Sequence, residues 1–138
     1  MAAPISGFHH VCIRTRDWDR SLAFYRDVLG CVEKVAWPLR ATGRRAAMLD
    51  TGDGNYLELF DDPDYPAAPD GAVAHFAFRT ADLDAVAARV RAFGATITVE
   101  PKDVVIPTTN GRGDIPVRLF FCLGPSGELI EFFQNTLT

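Results

Sequence analysis

The sequence is short of cysteine. It has three, Cys12, Cys31 and Cys122, an odd number with no CxxC spacing. Without an export signal, three reduced thiols in a cytoplasmic protein are expected, and nothing marks any of them as a nucleophile. Long apolar runs are also missing: no stretch approaches the roughly 20 residues needed to span a bilayer. The opening Met1 to Gly7 has neither a basic n-region nor an apolar h-region, so a signal peptide is not expected. Basic runs are scarce too. The densest patch is Arg40, Arg44 and Arg45, and the net charge is −4. Nucleic-acid binding ordinarily needs a basic stripe to displace counterions, so no such partner is expected.

What remains is enough for one globular domain. The chain has 138 residues, 48% of them hydrophobic and 23% charged. A chain of this size buries about two thirds of its unfolded surface and can offset its conformational entropy without disulfides.

The chain repeats itself. His10 to Asp19 reads HVCIRTRDWD and His75 to Asp84 reads HFAFRTADLD, with His, Arg, Thr and both Asp identical. Each segment leads into a helical pattern. Leu22, Phe24, Tyr25, Val28 and Leu29 mark one apolar face; Leu83, Val86, Val90 and Phe93 mark the other. Asp17 and Asp82 stand where N-caps belong, and Gly30 and Gly94 where a helix ends in a left-handed residue. The closing strands match as well: GNYLELF at Gly54 to Phe60, GELIEFF at Gly127 to Phe133. Weaker strand patterns lie between, at Cys31 to Trp37, Ala46 to Asp50, Thr96 to Val99 and Val117 to Leu123. Each half therefore reads strand, helix, strand, strand, strand, giving an α+β fold of two tandem βαβββ modules within a single domain spanning 1–138. Module one covers about 7–60 and module two about 72–134, with the Pro- and Asp-rich 61–71 as linker. Pro101 to Ile115 reads as a long loop, either a lid or binding loop or a plain surface excursion.

The repeat places one His near the start of each module's first strand and one Glu in its last strand. Pseudo-twofold symmetry can gather His10, Glu58, His75 and Glu131 around one point. Two imidazoles and two carboxylates suit a divalent metal of borderline hardness. A lone strand His is ordinarily a hydrogen-bonded core or surface residue. A carboxylate inside an apolar strand is harder to dismiss, since burying it unpaired is strongly unfavourable. Period-two alternation puts Cys12 and Arg14 on the face of His10, Tyr56 and Phe60 on that of Glu58, and Phe133 on that of Glu131. These five are candidates to line a substrate cavity. His9 is expected to face the other way, and Arg14 and Arg79 to pair with nearby Asp side chains.

The segment HVCIRTRDWDRSLAFYRDVLG at His10 to Gly30 and GPSGELIEFF at Gly124 to Phe133 resemble the opening and closing of vicinal oxygen chelate proteins. That superfamily includes glyoxalase I, methylmalonyl-CoA epimerase, extradiol dioxygenases, fosfomycin-resistance proteins and bleomycin-binding proteins. The resemblance covers essentially the whole chain. It implies a half-open barrel around one divalent ion per site, usually in a homodimer. The His-Glu-His-Glu set at His10, Glu58, His75 and Glu131 is similar to that of glyoxalase I, which implies a lyase or isomerase using Ni, Zn or Co, with Fe or Mn possible. Glu131 is then the proton-transferring base and Glu58 its symmetric partner, acting on a small substrate with vicinal oxygens through an enediolate-type intermediate. Epimerase chemistry is an alternative, as is a dioxygenase-like non-haem iron oxygenase built on His10, His75 and Glu131. So is a metal-free binder of an antibiotic-type molecule. The stretch Leu59 to Pro66, LFDDPDYP, departs from the aromatic, Asn- and Gly-containing segment of bacterial glyoxalases. Glutathione as the thiol is therefore not implied.

Overall fold

A computed structural model describes residues 6–66 and 73–138. The chain divides into two compact units, Met1–Pro66 and Ala67–Thr138, and the division falls in the Pro- and Asp-rich stretch. Residues 67–71 of the expected linker lie outside the described residues.

In the first unit, strand β1 (His10–Thr15) leads into helix α1 (Trp18–Leu22), which continues as a π-helical segment over Ala23–Val28. Strands β2 (Val32–Pro38), β3 (Arg45–Asp50) and β4 (Tyr56–Asp61) follow. The second unit repeats the order with β5 (Phe76–Arg79), α2 (Leu83–Phe93), β6 (Ile97–Ile106), β7 (Ile115–Leu123) and β8 (Leu129–Gln134). Each unit is one mixed four-stranded sheet, ordered β1-β4-β3-β2 and β5-β8-β7-β6. First and last strands pair in parallel; the other pairs are antiparallel. The βαβββ pattern expected from the repeat is thus present twice.

The local signals act as expected. The Asp17 carboxylate accepts the Arg20 N–H at 3.1 Å, and Asp82 accepts that of Ala85 at 3.1 Å. Each satisfies an amide that a helix start leaves free. Gly94 closes α2 at φ +90°, a conformation that costs a glycine little. The first helix departs from a plain α-helix: the Leu29 N–H reaches back five residues to the Phe24 carbonyl at 3.1 Å. Apolar spacings of one, three and four do not distinguish that wider turn from an α-helix.

The expected loop Pro101 to Ile115 is a correction. β6 runs on through Pro101 to Ile106 and β7 begins at Ile115, leaving only 107–114 between strands. Pro101 is tolerated because β6 is an edge strand and the register shifts between Val99 and Lys102.

The core lies on one face of each sheet. Leu57 and Leu59 of β4, and Ile130 and Phe132 of β8, are buried. The residues between them, Glu58 and Glu131, point to the opposite face. Phe120 stacks on Phe132 with ring centroids 4.6 Å apart, and α2 contributes Leu83, Ala87 and Val90.

Two buried thiols give the core a pH dependence. Desolvation, then the charge of Asp50, pushes Cys31 up to about 11; desolvation, then Glu128, pushes Cys122 up to about 12. Both start from 9.0, so between pH 9 and these values the unfolded chain binds fewer protons and stability falls as pH rises. The loss is about 1.4 kcal/mol per pH unit and thiol. Urea midpoints at pH 7.5, 9 and 10.5 should fall in the wild type and fall less in C31A/C122A. Parallel profiles would contradict this origin.

Candidate metal centre

Parallel pairing brings the candidate ligands together within each unit. In the first, His10 stands opposite Tyr56 and Cys12 opposite Glu58. His10 Nε2 lies 3.9 Å from Glu58 Oε1. In the second, His75 immediately precedes β5, Ala77 stands opposite Glu131, and His75 Nε2 lies 3.0 Å from Glu131 Oε2. The two pairs have matching environments. The imidazoles are 39% exposed in both, and the carboxylates 11% and 12%. Each unit therefore presents an imidazole against a nearly buried carboxylate. Within a unit the pair is two ligands, and no group of three or more potential ligands forms among the described residues.

The donor chemistry fits a metal ion. A carboxylate has only acceptors to offer, so in this pair His75 Nε2 donates the hydrogen bond to Glu131. An ion taken up there would replace that hydrogen. The far nitrogen of His10 also has a partner. His9 Nδ1 lies 2.9 Å from His10 Nδ1, and the His9 ring packs against Tyr56 at 5.2 Å. The expectation that His9 faces away is not met. His9 precedes the strand, so alternation does not govern it. Hydrogen bonding at Nδ1 is what fixes a ligand histidine's tautomer and orientation.

The modules differ at one position in the site. Cys12 stands opposite Glu58, where module two has Ala77 opposite Glu131. Although Cys12 counts among the exposed residues, partial desolvation of its thiol, then the hydrogen bond and charge of Glu58, push its pKa up to about 12. It is a neutral donor at pH 7, not a nucleophile. Glu131 has Ala77 at that position, and its partner is His75 at 3.0 Å.

The other candidates are placed as follows. Tyr56 and Phe60 flank Glu58 along β4, and Phe133 follows Glu131 along β8. Arg14 is drawn to Asp62, Nε to Oδ2 3.6 Å, and lies over the Tyr65 ring at 5.6 Å. Sequence reasoning missed Met48 and Phe121. They stand opposite Glu58 and Glu131 in the antiparallel ladders, and Phe121 meets His75 edge-on at 5.3 Å. The signal was there: both occupy the same place in the repeat. A helix-to-strand ion pair recurs in the same way, Asp19–Arg45 at 3.7 Å and Asp84–Arg118 at 2.8 Å.

Comparison with known proteins gives this geometry its family. The model of the "Glyoxalase/Bleomycin resistance protein/Dioxygenase superfamily" matches residues 7–132. The chain belongs to this superfamily. An uncharacterized Bacillus subtilis protein, YwbC, is 31% identical over 128 residues, covering 91% of this chain and 95% of its own. Among solved structures, the trypanothione-dependent glyoxalase I of Leishmania major aligns with a TM-score of 0.71 at 24% identity, covering 94% of this chain and 87% of that one. The fosfomycin resistance protein FosX of Listeria monocytogenes, in complex with Mn(II) and sulfate, also gives 0.71, at 16% identity and 96% and 95% coverage. These two likenesses show a shared superfamily fold. Members of the superfamily bind a divalent metal, as FosX does. No helix among the described residues is long and apolar enough to cross a membrane.

Proposed function

We propose that the chain is a glyoxalase I-like lyase or isomerase in which His10, Glu58, His75 and Glu131 hold one divalent ion and Glu131 moves the substrate proton. The observation that carries this reading is the duplicated His–Glu pair, matched in exposure, in two separate sheets. One such pair is an ordinary hydrogen bond. Two, at equivalent positions of a repeat, are what a shared four-ligand site requires. A bound ion would supply Lewis acidity, polarising the vicinal oxygens of the substrate. The protein's own part is to hold and move a proton. Glu131 would leave its place, take the proton from the carbon beside a carbonyl and return it to the neighbouring carbon, while Glu58, opposite Cys12, would hold the ion. Within its own unit, Glu58 has Met48, Tyr56 and Phe60 beside it and Glu131 has Phe121 and Phe133, apolar neighbours that would strengthen such charge interactions. A homodimer fits the exposed Val32 and Val35 on edge strand β2, which a second copy would cover.

The oxygenase is the second reading. It draws on the wider 3.9 Å gap between His10 and Glu58, against 3.0 Å in the other pair. With Glu58 turned away, two histidines and one carboxylate remain.

The test is metal titration of chelator-treated protein with Ni, Co, Zn, Mn and Fe(II), followed calorimetrically and by elemental analysis. One ion per chain is expected, with protons released on binding. H10A and H75A should each weaken it by about 10-fold or more. Retained affinity in either variant would dismantle the shared site. Selective Fe(II) binding with oxygen uptake would favour the second reading.

A further inference from the structure

The two modules carry equivalent arginines, Arg14 on β1 and Arg79 on β5, each four residues after its candidate histidine. Alternation puts Arg79 on the face of β5 shared by Ala77, the residue level with Glu131, while Phe78 turns to the other side and packs on Phe132 at 5.9 Å. Their electrostatic situations are opposite. Arg14 is neutralised by Asp62, an anion it shares with Arg44. The repeat equivalents of Asp61 and Asp62 are Gln134 and Asn135, which carry no charge. Both are occupied: Gln134 accepts the Leu83 N–H at the start of α2 at 2.7 Å, and Asn135 accepts from Thr138 Oγ1 at 3.1 Å. Arg79 therefore has no ion pair among the described residues, contrary to the expectation of an Asp partner. Its exposed side chain belongs to the unit of His75 and Glu131.

We propose that Arg79 anchors a carboxylate of the substrate, which makes the substrate class small acids whose carboxylate lies one strand repeat from the vicinal oxygens. This rests on the four-ligand reading above. The spacing follows from register. Ala77 is level with Glu131 and Arg79 with Phe133, a separation of roughly 7 Å along the strand. A guanidinium binds a carboxylate through two parallel N–H···O bonds. Two other arginines of this unit, Arg91 and Arg118, are matched by Glu100 and by Asp84 and Asp103, so neither offers a free guanidinium to a ligand. A single guanidinium suits a singly charged carboxylate.

The experiment uses Zn-loaded protein and two hydroxamates that chelate through vicinal oxygens, succinic acid monohydroxamate and its neutral amide. Calorimetry should show the acid binding at least about 10-fold more tightly than the amide. In R79Q the preference should vanish while affinity for the amide is kept, which also reports that the fold survives. R79K should keep part of it, and R14Q all of it. Equal binding of acid and amide to the wild type, a preference that survives in R79Q, or one lost in R14Q instead would overturn the assignment. Failure of both hydroxamates to bind would instead overturn the four-ligand reading, and this inference with it.

Discussion

Glu131→Gln should lower turnover by roughly 10²- to 10⁴-fold, the share a positioned general base ordinarily contributes. The substitution keeps the shape and the oxygen that faces His75, so the sheet and its register should persist. What it removes is the ability to take a proton. Glu131 is buried between Ile130 and Phe132, with Phe121 across the ladder and His75 as its hydrogen-bond partner at 3.0 Å. Glu58→Gln should cost less in turnover and more in metal affinity, because proton transfer falls to Glu131 and Glu58 serves only to hold the ion. The readouts are initial rates on hemithioacetals of methylglyoxal with a panel of thiols, metal affinity, and melting temperature. A fully active E131Q would sink the assignment of the base. Equal losses of turnover in both variants, with metal affinity unchanged, would sink the division of roles.

Phe120→Ala should destabilise the fold by about 3–5 kcal/mol, the range for removing a fully buried aromatic. Phe120 has no exposed surface and stacks on Phe132 at 4.6 Å, on the face of the second sheet opposite Glu131. The lost ring takes with it the offset-stacking contribution and leaves a cavity that rigid strands cannot close. Urea unfolding gives the number directly. A loss below about 1.5 kcal/mol would mean that the core collapses around the gap, as volume-tolerant sites do. Metal affinity should be retained in the folded fraction, since no candidate ligand faces this layer. A matching loss of metal binding would show that the two faces are coupled.

The duplication made most of this legible. Five identities in HVCIRTRDWD and HFAFRTADLD fixed the module boundaries closely enough to align His10 with His75 and Glu58 with Glu131. The caps at Asp17 and Asp82 and the stop at Gly94 have local causes, so local pattern found them. Features that depend on a neighbour in space were harder to read. Pro101 looks like a strand breaker until β6 proves to be an edge strand with a shifted register. His9 follows no alternation because it lies one residue outside β1, and its ring turns to His10 and Tyr56. The π-helical turn at Ala23–Val28 keeps the same apolar residues inward, so periodicity could not reveal it. Arg14 and Arg79 look identical in the repeat. Only the residues after β4 and β8 tell them apart.

The parallel pairing of first and last strands has a consequence for how the protein is made. In chain order each imidazole comes near the start of its module and its carboxylate near the end, 56 positions apart for His75 and Glu131. During synthesis the histidine leaves the ribosome first and waits for the last strand. Closing so long a loop is entropically costly and is compensated only when that strand docks. Each half-site is therefore completed by the final step of its module's folding. A chain stopped before Leu129 would contain His75 and α2 yet lack the strand that holds its carboxylate.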